Sequence, residues 1–198
     1  MSAIGRQQAV GYVLLTMLRI HRKYSYMNFA TISTHFCWDD KPSAQRCALA
    51  AGAGVLIASL LLLLSLLLFA LLGTANMGDL AGAPIFQRGL VQTFFAAVVW
   101  APLFETLIGQ LIPIALLTWL GARDSIAIVV SAILFSVGHV ASGGGLGQGF
   151  ITLIGGLCFA SVFSANMRRS LARAFVLTAI SHATNNALAL LLSFGFDF

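Results

Sequence analysis

The sequence predicts an all-α fold, a multi-pass transmembrane helix bundle of about five spans, from three observations. First, 59% of the 198 residues are hydrophobic and only 9% are charged, whereas soluble domains carry about 25% charged residues. Second, the apolar residues form five long segments separated by polar turns. Third, the basic residues are concentrated between alternate segments. So few charges cannot cover a water-exposed surface, and a soluble enzyme is therefore excluded.

Each span needs about 20 apolar residues to cross a hydrocarbon core of about 30 Å. The first predicted span, from Cys47 to Leu72, contains no charge and is rich in leucine. The second, over about 89–120, is long for one span and is interrupted by Pro102 and Pro113, so we expect a tilt or a kink. The other spans are predicted at about 125–140, 148–166 and 171–194.

The distribution of basic residues predicts how the bundle is oriented. Ten of the 11 Lys and Arg residues lie in the N-terminal segment and near the turns after the second and fourth spans, and Arg88 alone lies on the opposite side. Because cytoplasmic loops are enriched in basic residues, we expect a cytoplasmic N-terminus and an outside C-terminus. One span more or fewer would destroy this alternation, which supports the count of five.

We expect residues 1–45 to form a cytoplasmic or interfacial N-terminal segment and residues 46–198 to form the transmembrane domain. The apolar run from Ala9 to Leu18 is too short to span and is followed by several basic residues. This pattern is typical of an interfacial helix near anionic lipid, and a disordered tail is the alternative. The basic residues form no dense patch, so the expected partner is the lipid bilayer and not a nucleic acid.

Polar residues inside the apolar spans are the strongest indication of function. Glu105 is the only glutamate and lies within the second span, and His139 and His182 lie within the third and fifth. An ionisable group in the membrane costs a few kcal/mol and is usually functional. Counted from the cytoplasmic ends of their spans, the three lie roughly 22, 21 and 17 Å deep. Three helices therefore present polar groups at one level.

The chemistry of these groups matches hydrolysis. A glutamate can deprotonate water, a histidine can shuttle the proton or bind a metal, and an amide can donate to a developing oxyanion. The amide is that of Asn186, which shares a helix face with His182 four residues earlier. A single intramembrane Glu or His can instead be a helix-packing hydrogen-bond partner. Taken together, the four side chains predict one water-accessible cavity between the second, third and fifth helices.

The same residues resemble the motifs of a known family. The sequence contains Phe135-Ser-Val-Gly-His139 and His182-Ala-Thr-Asn-Asn186, preceded by Glu105-Thr-Leu-Ile-Gly-Gln110. It resembles the CPBP family of intramembrane peptidases, also called the ABI or CAAX prenyl protease 2/lysostaphin resistance protein A-like family. The family motifs in order are Glu-Glu-x-x-x-Arg, Phe-x-x-x-His and His-x-x-x-Asn. The resemblance implies a four-helix catalytic core over about 89–194.

The resemblance also implies roles for the site residues. Glu105, His139 and His182 would activate water, and Asn186 would help to stabilise the oxyanion. The cofactor stays open: the mechanism could use a zinc ion held by His139 and His182, or it could be metal-free. Two histidines and one glutamate could hold zinc, but a zinc-bound Glu105 could not easily also serve as the base.

The first motif departs from the family pattern. Its second glutamate is replaced by Thr106 and its arginine by Gln110. The exchange removes one charge of each sign, so neutral hydrogen bonds could replace an ion pair, or the chain could be inactive.

The sequence therefore predicts an intramembrane peptidase, of metallo or glutamic type, that hydrolyses peptide bonds of a membrane-associated protein or peptide. A catalytically inactive scaffold or immunity protein on the same fold is one alternative. A proton- or metal-handling transporter is another, although transporters usually contain internal repeats, and we find none in this sequence.

Overall fold

The computed structural model describes residues 36–38, 40–73 and 89–195, and every regular element within these ranges is a helix. All five helices are long and apolar enough to cross a membrane, which confirms the predicted number of spans and an integral membrane protein. The helices are α1 (Ser43–Leu72), α2 (Leu90–Trp119), α3 (Asp124–Ala141), α4 (Leu146–Met167) and α5 (Leu171–Gly195). Helix α1 begins four residues before the predicted start, immediately after Pro42.

Helix α1 lies at the edge of the bundle, and most of its leucines face outward. Only Ala50, Ala53, Gly54 and Ile57 are buried in it. This small-residue face packs against α5, where the Ser181 hydroxyl donates a 2.7 Å hydrogen bond to the carbonyl of Ala50. Small residues allow two membrane helices to approach closely enough for such a bond. The contact fixes α5 next to α1 at the residue that precedes His182.

Helix α2 is one continuous span in which two π-helical turns alternate with α-helical segments. The π turns are Phe95–Trp100 and Thr106–Leu111, and an α-helical segment with proline as its second residue follows each of them. Proline cannot donate to the carbonyl four residues earlier and clashes with it. The wider π turn accommodates the proline without ending the helix. The interruption predicted at Pro102 and Pro113 therefore takes the form of π turns within one span.

Helix α4 is the most buried span and packs against both α3 and α5. Its end is joined to the start of α3 by an ion pair between Arg168 and Asp124, with Nη2 and Oδ2 3.8 Å apart. We call the end of the bundle that carries Arg123, Arg168 and Arg169 the basic end. An apolar cluster lies near it, formed by Ile114, Ala127, Ile128, Ala160, Phe163 and Ala174.

A short stretch of the N-terminal segment is attached to this basic end. The buried amide of Asn166 donates a 2.8 Å bond to the carbonyl of Phe36, and its oxygen accepts from the backbone N–H of Trp38 at 3.5 Å. The Trp38 side chain is buried against α1 and α5 residues. These residues of the predicted segment 1–45 therefore pack on the bundle. The interfacial helix predicted around Ala9–Leu18 lies outside the described residues.

The α1–α5 contact generates a stability prediction. A Cβ atom added at Gly54 would lie 2.3 Å from the carbonyl oxygen of Ser181, whereas one added at Gly52 would meet nothing within 4 Å. We expect Gly54→Ala to lower the free energy of unfolding by about 1–3 kcal/mol, because the two backbones must separate. Gly52→Ala, two residues away on the same helix, should not destabilise the protein. Thermal unfolding in detergent measures both, and equal melting temperatures would contradict the prediction.

Candidate active site

The polar residues of α2, α3 and α5 meet at one cavity of about 770 Å³. The turn between α3 and α4 and the start of α4 contribute Ser142 and Gln148 to its wall. The glycine-rich turn between α3 and α4 thus lies beside the cavity. All four predicted site residues line this cavity: Glu105, His139, His182 and Asn186.

Glu105 lies between the two histidines. One carboxylate oxygen, Oε2, is 3.3 Å from Nε2 of His182 and 3.7 Å from Nε2 of His139. Glu105 ends the α-helical segment between the two π turns of α2. Its side chain is 33% exposed, whereas that of His182 is 4% exposed. The carboxylate is therefore reached from the cavity, while the imidazole behind it is enclosed.

The orientation of His139 is set by its own helix. Its Nδ1 is 2.9 Å from the carbonyl oxygen of Phe135, four residues earlier. A carbonyl only accepts, so Nδ1 donates, and in the neutral ring Nε2 carries the lone pair. The Phe135 ring lies 4.5 Å from the imidazole, centroid to centroid. The spacing of the second motif therefore produces an imidazole whose Nε2 faces Glu105 and the cavity.

His182 is held between aromatic rings. Its imidazole stacks on Phe159 of α4, with centroids 4.4 Å apart and planes 25° from parallel, and Phe135 approaches at 5.7 Å. The side chain has little room to rotate, because it is only 4% exposed and lies against these two rings. Helix α4 thus supplies a flat surface for His182, although it carries none of the predicted site residues.

Asn186 joins α5 to the first π turn of α2. Its Nδ2 donates a 2.9 Å hydrogen bond to the carbonyl of Ala97, and its Oδ1 accepts from Asn185. A carboxamide carries two N–H groups, and the bond to Ala97 uses one of them. Asn186 lines the cavity, so the amide is placed where its second N–H can reach a bound group.

The two departures from the family motif are not hydrogen bonded as the sequence analysis suggested. Thr106 and Gln110 are fully buried, but Thr106 Oγ1 and both polar atoms of the Gln110 amide have no hydrogen-bond partner among the described residues. A threonine hydroxyl ends one atom beyond Cβ and does not reach as far as a glutamate carboxylate. Of the two alternatives that the sequence leaves open, direct neutral hydrogen bonds in place of the ion pair are therefore not formed among the described residues.

Sequence reasoning missed Phe159, Ser142 and Gln148. Phe159 is one apolar residue in an apolar helix, and nothing in its local sequence separates it from its neighbours. Ser142 and Gln148 flank a glycine-rich turn whose composition assigns it no chemistry. The packing of α4 against α3 and α5 brings Phe159 to His182 and Gln148 to the cavity wall.

The donor set was also compared with what a metal ion requires. Two imidazoles and one carboxylate are ligand types that suit zinc. Among the residues that the structure describes, however, no group of three or more His, Cys, Asp or Glu side chains is arranged to hold a metal ion.

The fold and the cavity define a class, a polytopic membrane protein with an acid and two imidazoles grouped inside the bundle. A family model described as type II CAAX prenyl endopeptidase Rce1-like matches residues 87–188. The match covers just over half of the chain and includes all four predicted site residues, and the chain belongs to this family of CAAX-type intramembrane proteases. No curated protein and no solved structure matches the chain.

The stacking of His182 on Phe159 generates a prediction. In Phe159→Leu we expect the imidazole proton resonances of His182 to move downfield, because the ring current of Phe159 is lost. The stacked pair should contribute about 0.5–1.5 kcal/mol beyond its buried area. Proton NMR of the protein in detergent measures the shift.

The control is Phe163→Leu. Phe163 lies one turn further along α4, is fully buried and packs in the apolar cluster at the basic end. Phe163→Leu should lower the free energy of unfolding without moving the His182 resonances. An equal shift in both variants would contradict a specific stacking contact.

Proposed function

We propose that this protein is an intramembrane peptidase that hydrolyses peptide bonds of a membrane-associated protein or peptide with activated water. One observation carries the proposal. Glu105 lies inside an apolar bundle at the wall of a large cavity. Its carboxylate oxygen is 3.3 Å from Nε2 of His182 and 3.7 Å from Nε2 of His139. If Glu105 served only to hold two helices together, its carboxylate would need one hydrogen-bond partner and no adjacent cavity.

In the proposed reaction Glu105 is the general base. It removes a proton from a water molecule as the water oxygen attacks the substrate carbonyl carbon. His139 accepts a hydrogen bond at Nε2 and positions this water, and His182 holds the carboxylate from its other side. The carbonyl oxygen becomes an oxyanion, to which Asn186 donates its second N–H. When the C–N bond breaks, protonated Glu105 returns its proton to the leaving amine.

The walls of the cavity support a substrate that is itself associated with the membrane. Apart from the polar group, the cavity is lined mainly by apolar side chains, among them Phe104, Ile108, Leu134 and Leu190. Adjacent apolar residues on the outer faces of α2 and α3 are exposed on the outside of the bundle. An apolar segment can therefore lie against the wall while its backbone reaches Glu105. We propose small membrane peptides or membrane-anchored proteins as the substrate class.

A second candidate is a catalytically inactive scaffold or immunity protein on the same fold. The observation that favours it is the neutral pair Thr106 and Gln110, buried next to the site without hydrogen-bond partners among the described residues. The four residues that would perform the chemistry are retained, and for this reason we favour the peptidase.

Replacing the general base tests the proposal. We expect Glu105→Gln to lower cleavage at least about 100-fold, because the amide cannot accept the proton of water. The substrates are membrane-anchored peptides, with and without a prenylated C-terminal cysteine, reconstituted with the protein in vesicles. Mass spectrometry of the products measures the cleavage. The matched control is Asp124→Asn, the same chemical change at the basic end, which should retain activity.

Two results would contradict this proposal. Equal cleavage by wild type and Glu105→Gln would exclude Glu105 as the base, and wild-type cleavage no higher than in protein-free vesicles would favour the scaffold. Loss of cleavage in the presence of a zinc chelator, restored by added zinc, would instead assign a metal to His139 and His182.

We further propose that the basic end is cytoplasmic, with the N-terminus inside and the C-terminus outside. Support comes from the ten basic residues on that side of the predicted spans against one on the other. The attached residues Phe36 and Trp38 lie at the same end. This orientation would place the turn after α3 on the outer side.

Cysteine labelling measures this orientation. Cys37 is exposed near the basic end, and Leu146, 86% exposed, lies at the opposite end. In a variant that retains only Cys37, a membrane-impermeant maleimide should react after permeabilisation and not with intact cells. In a cysteine-free variant carrying Leu146→Cys, it should react with intact cells. The reverse pattern would invert the proposed topology.

A further inference from the structure

A group of buried polar atoms lies behind the active-site cavity, and of the residues that carry them only His182 also lines the cavity. Thr106 Oγ1, both polar atoms of the Gln110 amide, Thr178 Oγ1 and His182 Nδ1 have no hydrogen-bond partner among the described residues. Thr106, Gln110 and Thr178 are fully buried, and His182 is 3% exposed. Leaving such a group unsatisfied costs about 1–3 kcal/mol, so several of them on neighbouring elements indicate a missing common partner.

The backbone places the residues that carry these atoms on two neighbouring helices. Thr106 and Gln110 are four residues apart on the second π turn of α2, and Thr178 and His182 are four residues apart on α5. The second π turn packs directly against α5. Each pair therefore lies on one face of its helix at a contact between the two helices.

The Glu105–His182 contact fixes the register of the two helices. Gln110 lies five residues after Glu105, and Thr178 lies four residues before His182. Because α2 runs toward the basic end and α5 runs away from it, both side chains lie roughly 6–7 Å from that contact toward the basic end. Thr106 and His182 Nδ1 lie between these levels.

The chemistry of His182 defines what is missing. An ionised carboxylate only accepts, so a neutral His182 presents Nε2–H to Glu105 and leaves a lone pair on Nδ1. Phe159 and Phe135 cover the imidazole and offer it no strong donor. Nδ1 needs a donor, the Gln110 oxygen needs a donor, and the two threonine hydroxyls need an acceptor. Water supplies both functions and makes two to four hydrogen bonds at such buried sites.

We propose that one or two water molecules are bound between α2 and α5, where they donate to His182 Nδ1 and bond with Gln110 and Thr178. This hydration site is separate from the active-site cavity. It holds His182 as the tautomer that directs Nε2–H at Glu105, which makes Gln110 and Thr178 positioning residues. Only the effect on hydrolysis rests on the proposed function, because the hydration site and the tautomer are measurable without it.

The experiment uses two pairs of variants in the full-length protein. Gln110→Leu removes both polar atoms at similar volume. Its control is Thr118→Val, because Thr118 Oγ1 is also buried without a hydrogen-bond partner in the described part of the chain but lies two turns further along α2. Thr178→Val removes a hydroxyl at constant shape, and Thr178→Ser restores it. The ¹⁵N resonances of the His182 imidazole, assigned by their loss in His182→Asn, report the tautomer directly.

We expect wild type, Thr118→Val and Thr178→Ser to show a single tautomer protonated at Nε2. Gln110→Leu and Thr178→Val should give a mixture of tautomers, and cleavage should fall about tenfold, the loss of one hydrogen bond. A crystal structure should contain water density within hydrogen-bond distance of His182 Nδ1.

Unchanged His182 resonances in both Gln110→Leu and Thr178→Val would overturn the proposal. A crystal structure in which Gln110 bonds directly to Nδ1 would also overturn it. If Gln110→Leu fails to fold, the Thr178 pair decides the question by itself. A mixture of tautomers in Gln110→Leu and Thr178→Val, together with a wild type that cleaves no peptide, would support the hydration site and contradict the proposed peptidase.

Discussion

The contact of one carboxylate with two imidazoles inside an apolar bundle is the constraint on which the rest of the structure depends. Glu105 Oε2 lies 3.3 Å from His182 and 3.7 Å from His139, and the three groups come from three different spans. A charged group in the membrane is costly unless it is paired or reached by water. The π turns of α2, which flank Glu105, and the cavity in front of it meet that requirement.

Two helices without predicted site residues hold His182 in place. Helix α1 bonds to Ser181 and passes close to α5 at Gly54. Helix α4 places Phe159 flat against the imidazole. The most buried span therefore contacts His182 itself, and the most exposed span contacts α5 at the residue next to it. This division explains why a site formed by three spans is found in a bundle of five.

The site consists of two polar layers with different properties. The layer at the cavity contains groups that contact each other and can reach a substrate. The layer behind it, with Gln110 and Thr178, is enclosed and lacks protein partners among the described residues. In the proposed function the first layer performs the hydrolysis, and in the proposed hydration site the second layer orients His182. On this proposal the neutral residues Thr106 and Gln110 alter the support of His182 and leave the groups at the cavity unchanged.

Composition, span lengths and the depth of the polar residues were sufficient to predict five membrane helices and the meeting of Glu105, His139 and His182. These properties are local, because helix rise and periodicity translate residue number into depth and face. The bond from Asn186 to Ala97, the stacking on Phe159 and the unpartnered amide of Gln110 could not be predicted in this way. They depend on the rotation and separation of neighbouring helices, and these are decided by small residues such as Gly54 and by the packing of all five spans together.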